Sequence, residues 1–200
     1  IIYGNNITPE QINFYNERRK QLLDVVPNAG HLGVADLERD FNVTVVTQNV
    51  DNLHERAGST HVIHLHGELT KVCSSRDPYN PHFVKELAPE EYEVKLGDKA
   101  GDGTQLRPFI VWFGESVPEI ETAIRYVEKA DIFVIIGTSL NVYPAAGLLN
   151  YVPRAAEVYL IDPKPVDTHV MRPIHVIQKG ASEGVKELKA LLTVTQPPLP

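Results

Sequence analysis

The feature that most constrains this chain is a set of short, mostly apolar runs rich in β-branched residues, at 43–48, 61–66, 109–113, 132–136 and 158–161, with a weaker one at 175–178. Such runs are too short for helices and read as strands buried on both faces. Helical patterns at 118–130, 143–151 and 182–192 separate several of them. Strands alternating with helices build βαβ units, because parallel neighbours need a crossover. The expected result is an α/β three-layer fold, a mainly parallel sheet with helices on both faces.

Local signals set the remaining elements. Thr8, Pro9 and Gln11 read as N-cap, first helical residue and closing partner of a capping box, and Pro27 ends that helix at about Val25 or Val26. A second helix is expected over 30–40, and a short one over 52–57 is closed by Gly58. The stretch 70–106, rich in Pro, Gly and charge, reads as a small-subdomain insertion, and 193–200 as a flexible tail.

At 200 residues the chain has room for a single domain with a small insertion. Its formal charge of −7 and pI near 5.6 argue against a general nucleic-acid binder, and no apolar run reaches the roughly 18 residues of a membrane helix. The single cysteine, Cys73, excludes an intrachain disulfide and an all-thiolate zinc site. The start at Ile1 suggests that a further segment precedes the sequence.

Ligands of open parallel sheets gather beyond the carboxyl ends of strands. Three polar clusters sit at such ends: 47–52, 64–68 and 137–139. His64 and His66 are two apart and share a side of their strand. They fit a metal pair, with His54 and Asp51 as further ligands, and equally one general base beside one core histidine. Gly137, Thr138 and Ser139 form a turn suited to a nucleotide, though no G-x-G-x-x-G motif occurs. On the first helix Tyr15 and Arg18 lie three apart and suit a carboxylate. The competing reading makes Arg18, Arg19 and Lys20 a solvated basic run.

Taken together, 47–54 (Thr-Gln-Asn-Val-Asp-Asn-Leu-His) followed by His66-Gly67 resembles the core signature of sirtuins, the NAD-dependent protein-lysine deacylases. Residues 109–115 (Phe-Ile-Val-Trp-Phe-Gly-Glu) resemble their substrate-binding strand, and 137–145 their adenosine-ribose turn. The segment 14–19 (Phe-Tyr-Asn-Glu-Arg-Arg) is similar to the desuccinylase-type subgroup, class III. The resemblance, running from about Phe14 to Leu192, implies a Rossmann-like sheet and a cytoplasmic enzyme that moves an acyl group from lysine to ADP-ribose and releases nicotinamide.

Residue by residue, the resemblance makes His66 the general base that deprotonates the nicotinamide-ribose hydroxyl for attack on the alkylamidate intermediate. It gives Asn49 and Asp51 to nicotinamide and the ribose end, and Gln48 to the ribose hydroxyls. Gly137, Thr138 and Ser139 hold the adenosine half, with Asp162 near its ribose and Ala181 near the base. Val111, Phe113, Gly114 and Glu115, with Asn141 and Val142, pair with the substrate backbone as an added strand. Tyr15 and Arg18 receive the free carboxylate of a succinyl-, malonyl- or glutaryl-lysine. The implied partners are acylated-lysine proteins or peptides, with no direct nucleic acid and no membrane.

Two departures from the family pattern shape the remaining expectations. Sirtuins hold zinc with four cysteines in the small domain, whereas 70–106 offers Cys73 alone, so no structural zinc is expected and Tyr79, Phe83 and Tyr92 are expected to hold the subdomain by packing. The family's first strand and Gly-Ala-Gly phosphate loop are not in this sequence, which leaves a nucleotide- or acyl-lysine-binding module without turnover as an alternative. A metallohydrolase built on His64 and His66 is the third reading, and it leaves 47–52 unexplained.

Overall fold

The computed structural model describes residues 7–138, 145–165 and 172–194. In chain order the helices are α1 (Pro9–Asp24), α2 (Ala29–Asp36), α3 (Leu53–Ala57), α4 (Ile120–Val127) and α5 (Ala181–Val194), with a 3₁₀ stretch at Ala145–Tyr151. The strands are β1 (Val45–Thr47), β2 (Val62–His64), β3 (Gly67–Ser74), β4 (Lys85–Glu86), β5 (Leu106–Ile110), β6 (Ile132–Ile136), β7 (Glu157–Ile161) and β8 (His175–Ile177). The chain divides into two compact units. The first takes in Ile1–Val26, Val46–Asn52 and His64–Glu119; the second takes in Pro27–Val45, Leu53–Ile63 and Ile120–Pro200.

In the second unit, β6, β7 and β8 form a parallel sheet in sequence order, with Phe133 opposite Val158 and Leu160 opposite Val176. Tyr159 and Ile161 pack with Leu37, Ile177, Val185, Leu188 and Leu192. Side chains alternate along a strand, so Val158 and Leu160 point to the opposite face. They are 1% and 0% exposed, so that face is covered too. The layered α/β arrangement follows from strands that are apolar on both sides. Helix α5 continues to Val194, past the expected start of the tail, and Thr193 Oγ1 donates to Lys189 O and Ala190 O. Residues 195–200 lie outside the described residues.

The first unit has its own core of Ile7, Ile12, Val72 and Val94, with Leu87, Leu106 and Trp112 packed on it. Thr8 and Gln11 close the expected capping box at the start of α1. The buried side of that helix is partly polar. Asn16 pairs with both backbone groups of Val94, at 2.8 and 3.0 Å, and Arg19 Nε donates to Tyr92 O at 2.9 Å. Arg19 is therefore not part of a solvated run: it is 3% exposed, and burial lowers its pKa to about 10.

One strand differs from expectation. The apolar run at 109–113 straddles the end of β5, which is antiparallel to β3 in a sheet ordered β4-β3-β5. Residues 67–74 break the polar–apolar alternation of a strand, with Thr70 and Lys71 adjacent and Val72 and Cys73 adjacent, and the pairing with β5 shifts register between Glu68 and Val72; that disguised β3 as the start of an irregular stretch. Gly67 makes the pairing possible: its φ is +86°, and a Cβ there would lie 2.0 Å from Phe109 O.

The subdomain core is aliphatic rather than built on Tyr79, Phe83 and Tyr92. Cys73 is fully buried and donates to Pro108 O; burial pushes its pKa up to about 12, so it is a protonated packing group. With no second thiol in the sequence, this donor set does not fit a tetrahedral zinc site. A hydrogen-bonded clasp stands at the end of β3. Ser74 Oγ donates to Asp102 Oδ2 at 2.7 Å and accepts from the N–H groups of Arg76 and Asp77, while Thr104 Oγ1 donates to Asp102 Oδ1 at 2.7 Å.

The bonds from Thr104 and then Ser74 hold the Asp102 carboxyl well below its ordinary value of 3.8. A carboxyl depressed on folding stabilises the fold above its unfolded value, and that contribution fades as pH falls toward the folded one. Asp102→Asn is therefore expected to lower Tm at pH 7, and the gap from the unchanged protein should narrow below about pH 4. Thermal melts at pH 7 and pH 3 check this; a gap that does not change with pH counts against the clasp.

Candidate active site

Strands β1 and β2 run side by side, and in the first unit Leu65 N–H donates to Thr47 O at 2.9 Å. Leu65 is fully buried, and His64 and His66 flank it. The ring of His66 meets the chain leaving β1: its Nδ1 lies 3.2 Å from Gln48 O. His64 Nδ1 lies 3.2 Å from Asn49 O in the same way. A carbonyl only accepts, so both Nδ1 atoms carry the proton. With Nδ1 engaged in this way, the remaining ring nitrogen of His66, Nε2, is the atom placed to accept a proton.

Gln48 and Asn49 thus orient the two imidazoles through their backbone, which leaves their side chains for other work. Gln48 Oε1 is shut off from solvent and has no hydrogen-bond partner among the described residues. A buried acceptor left unpaired is costly, and a ligand hydroxyl would satisfy it. The Asn49 side chain is exposed, and Asp51 is half-buried in the same segment.

The segment after β5 forms a turn rather than a strand edge. Glu115 N–H donates to Trp112 O at 3.0 Å, and Gly114 takes φ +88° at the turn position that favours glycine. Val111 N–H donates to His66 O at 3.0 Å, which ties this segment to the base. Trp112 N–H is taken by Glu115 Oε2 at 2.9 Å. Of the expected pairing groups, the N–H groups of Val111 and Glu115 are therefore committed internally. Phe113 is fully exposed.

Sequence reasoning missed Arg107, the buried centre of this region at 4% exposure. It holds both oxygens of Glu115, at 2.8 and 3.0 Å, donates to Ile110 O at 2.7 Å, and lies 3.6 Å from the centre of the Trp112 ring. An arginine inside an apolar strand must be paired, and that was the available signal. Burial alone would raise the Glu115 pKa, yet the bonds from Arg107 and from Trp112 N–H bring it below the usual value. Tyr79 OH also donates to Glu115 Oε2, at 3.3 Å, and its own pKa is raised to about 12 by burial and then by that carboxylate.

On α1, Tyr15 is half-buried and Arg18 is exposed, with its guanidinium 5.1 Å from the centre of the Phe14 ring. Tyr15 Oη accepts from Trp112 Nε1 at 3.0 Å.

In the second unit the expected nucleotide residues gather at the carboxyl ends of parallel strands. Gly137 and Thr138 follow β6, Asp162 follows β7, and Ala181 opens α5 shortly after β8. Gly137 N–H donates to Ile161 O at 3.0 Å, and with φ +64° nothing among the described residues lies within 4 Å of where its Cβ would stand. Asp162 Oδ1 accepts from Lys164 N–H at 2.8 Å. Ser139, Asn141 and Val142 lie outside the described residues.

The Sir2 family profile matches residues 4–144. The chain belongs to the Sir2 family. It is 84% identical over 181 residues to an NAD-dependent protein deacylase of Bacteroides thetaiotaomicron, spanning 90% of this chain and 77% of that one. An NAD-dependent protein deacylase of Helicobacter pylori is 46% identical over 187 residues, 93% of this chain and 79% of its own. Among solved structures, a Sir2 homologue in complex with NAD superposes with a TM-score of 0.76 at 34% identity, covering 92% of this chain and 71% of that chain. Sir2Tm bound to a propionylated peptide gives 0.71 at 26% identity, over 92% and 80% of the two chains.

Proposed function

We propose that His66 is the general base of this enzyme, that Gln48, Asn49 and Asp51 bind the nicotinamide-ribose end of NAD, and that Gly137, Thr138, Asp162 and Ala181 bind its adenosine end. The chain is an NAD-dependent protein deacylase, and NAD is its co-substrate. The observation that carries the assignment is the His66 Nδ1 bond to Gln48 O, which leaves Nε2 able to take a proton from a ribose hydroxyl. Asn49 supplies an amide for the nicotinamide carboxamide, and Gln48 Oε1 an acceptor for a ribose hydroxyl. The acyl group passes from lysine to ADP-ribose. The substrate backbone pairs with Phe113, Gly114 and the Val111 carbonyl. The reading carries a cytoplasmic location, where NAD and acylated proteins meet, with neither nucleic acid nor membrane as partner.

Within this reading Tyr15 and Arg18 receive the carboxylate of a succinyl-, malonyl- or glutaryl-lysine. A phenol and a guanidinium on one helix face offer charge-assisted bonds that an acetyl group cannot use. Arg18→Met in the full protein chain is expected to raise KM for a succinyl-lysine peptide about 10- to 100-fold and to change acetyl-lysine kinetics far less. Steady-state assays of nicotinamide release on both peptides test it; equal losses on the two would remove the receptor.

A further inference from the structure

Trp112 is the only tryptophan in the sequence, and its indole N–H is committed to one atom, the Tyr15 hydroxyl oxygen, at 3.0 Å. An indole only donates. The Tyr15 oxygen therefore accepts from Trp112, and its own proton is directed elsewhere. No other hydrogen bond to that hydroxyl is made among the described residues. The indole is itself fixed on two sides. Its face lies 3.6 Å from the Arg107 guanidinium carbon, and the backbone N–H of the same residue donates to Glu115, the carboxylate that pairs with Arg107.

We propose that Trp112 is a positioning residue for acyl selectivity: by donating to Tyr15 it presents the phenol proton as a ready donor, and so favours acyl chains ending in a carboxylate over neutral ones. The inference rests on the reading of Tyr15 and Arg18 as the carboxylate receptor. A hydroxyl free to rotate must be ordered when the ligand binds, whereas one whose lone pair is already engaged is ordered beforehand. The chain of contacts runs from the buried Arg107–Glu115 pair through the indole to the phenol, so α1 and the segment after β5 meet at the receptor.

Kinetics of the full chain with succinyl- and acetyl-lysine peptides at saturating NAD test the proposal, read as the succinyl-to-acetyl ratio of kcat/KM. Trp112→Phe keeps an aromatic ring and removes the donor; it should lower the ratio about tenfold, through KM for the succinyl peptide. Tyr15→Phe should lower the ratio at least as far. In the double variant the Trp112 change should add nothing, because its effect passes through the Tyr15 hydroxyl. An unchanged ratio in Trp112→Phe while Tyr15→Phe lowers it would overturn the inference and leave the receptor standing. Additive losses would also overturn it, since Trp112 would then act by packing. An unchanged ratio in Tyr15→Phe would overturn the receptor and the inference together.

A second measurement does not depend on how Trp112→Phe folds. Trp112 is the sole indole fluorophore, and the succinyl peptide should shift its emission more than the acetyl peptide does, a difference that Tyr15→Phe should abolish. Equal shifts from the two peptides in the unaltered protein would contradict the proposal.

Discussion

His66→Ala is expected to lower kcat for NAD-dependent deacylation by about 10²- to 10⁴-fold, the usual contribution of a positioned general base. The protein should stay folded. His66 is half-buried, and among the described residues its ring bonds to Gln48 O, a contact worth about 1 kcal/mol. KM for the acylated peptide should change little, because the base acts on the transition state and does not bind the peptide. Steady-state kinetics beside a thermal melt separate the two effects. A variant with normal turnover would remove the role, and a variant that fails to fold would show that the His66–Gln48 contact is worth far more than one hydrogen bond.

Glu115→Gln has the largest expected effect on stability. It leaves the Arg107 cation, 4% exposed, against a neutral amide, and breaking a buried pair costs about 3–5 kcal/mol. The Glu115 side chain is 27% exposed, which places the cost near the low end, about 3 kcal/mol. For a chain of this length that is a fall in Tm of about 6–12 °C. The sign with pH follows from the depressed Glu115 value: its contribution is present above the ordinary carboxylate range and is lost as pH falls through the folded value. The Tm deficit of Glu115→Gln should therefore shrink in acid. A deficit under 2 °C at pH 7 would mean that solvent already screens the pair.

The parts legible in the sequence were those whose signals are local. The capping box of Thr8 and Gln11, and the polar residues directly after β1, β2, β6 and β7, sit where chain chemistry alone put them, because caps and strand ends depend on a few neighbouring residues. Pairing was not local, and it was read less well. The run at 109–113 is apolar throughout, yet the strand stops at Ile110, since Trp112 and Glu115 close a turn there. Hydrophobicity alone does not separate strand from turn: Trp112 packs on the core, while Phe113 is apolar and fully exposed. Strand β3 was hidden because its sequence does not alternate and its register shifts between Glu68 and Val72. Arg19 looked like a surface charge because its partner, Tyr92 O, lies 73 positions away. The Arg107, Glu115, Trp112 and Tyr15 contacts join two stretches of chain, Tyr15 lying 97 positions from Trp112, and no spacing rule connects them.

The central claim, that His66 serves only the step in which a ribose hydroxyl is deprotonated, is tested most directly by isotope exchange. Labelled nicotinamide should still exchange into NAD in the His66→Ala protein when acylated peptide is present, because expelling nicotinamide requires no base, while the deacylated peptide and the acyl-ADP-ribose fail to accumulate. Loss of exchange and of deacylation to the same degree would place His66 in binding or in the first step, and would contradict the account.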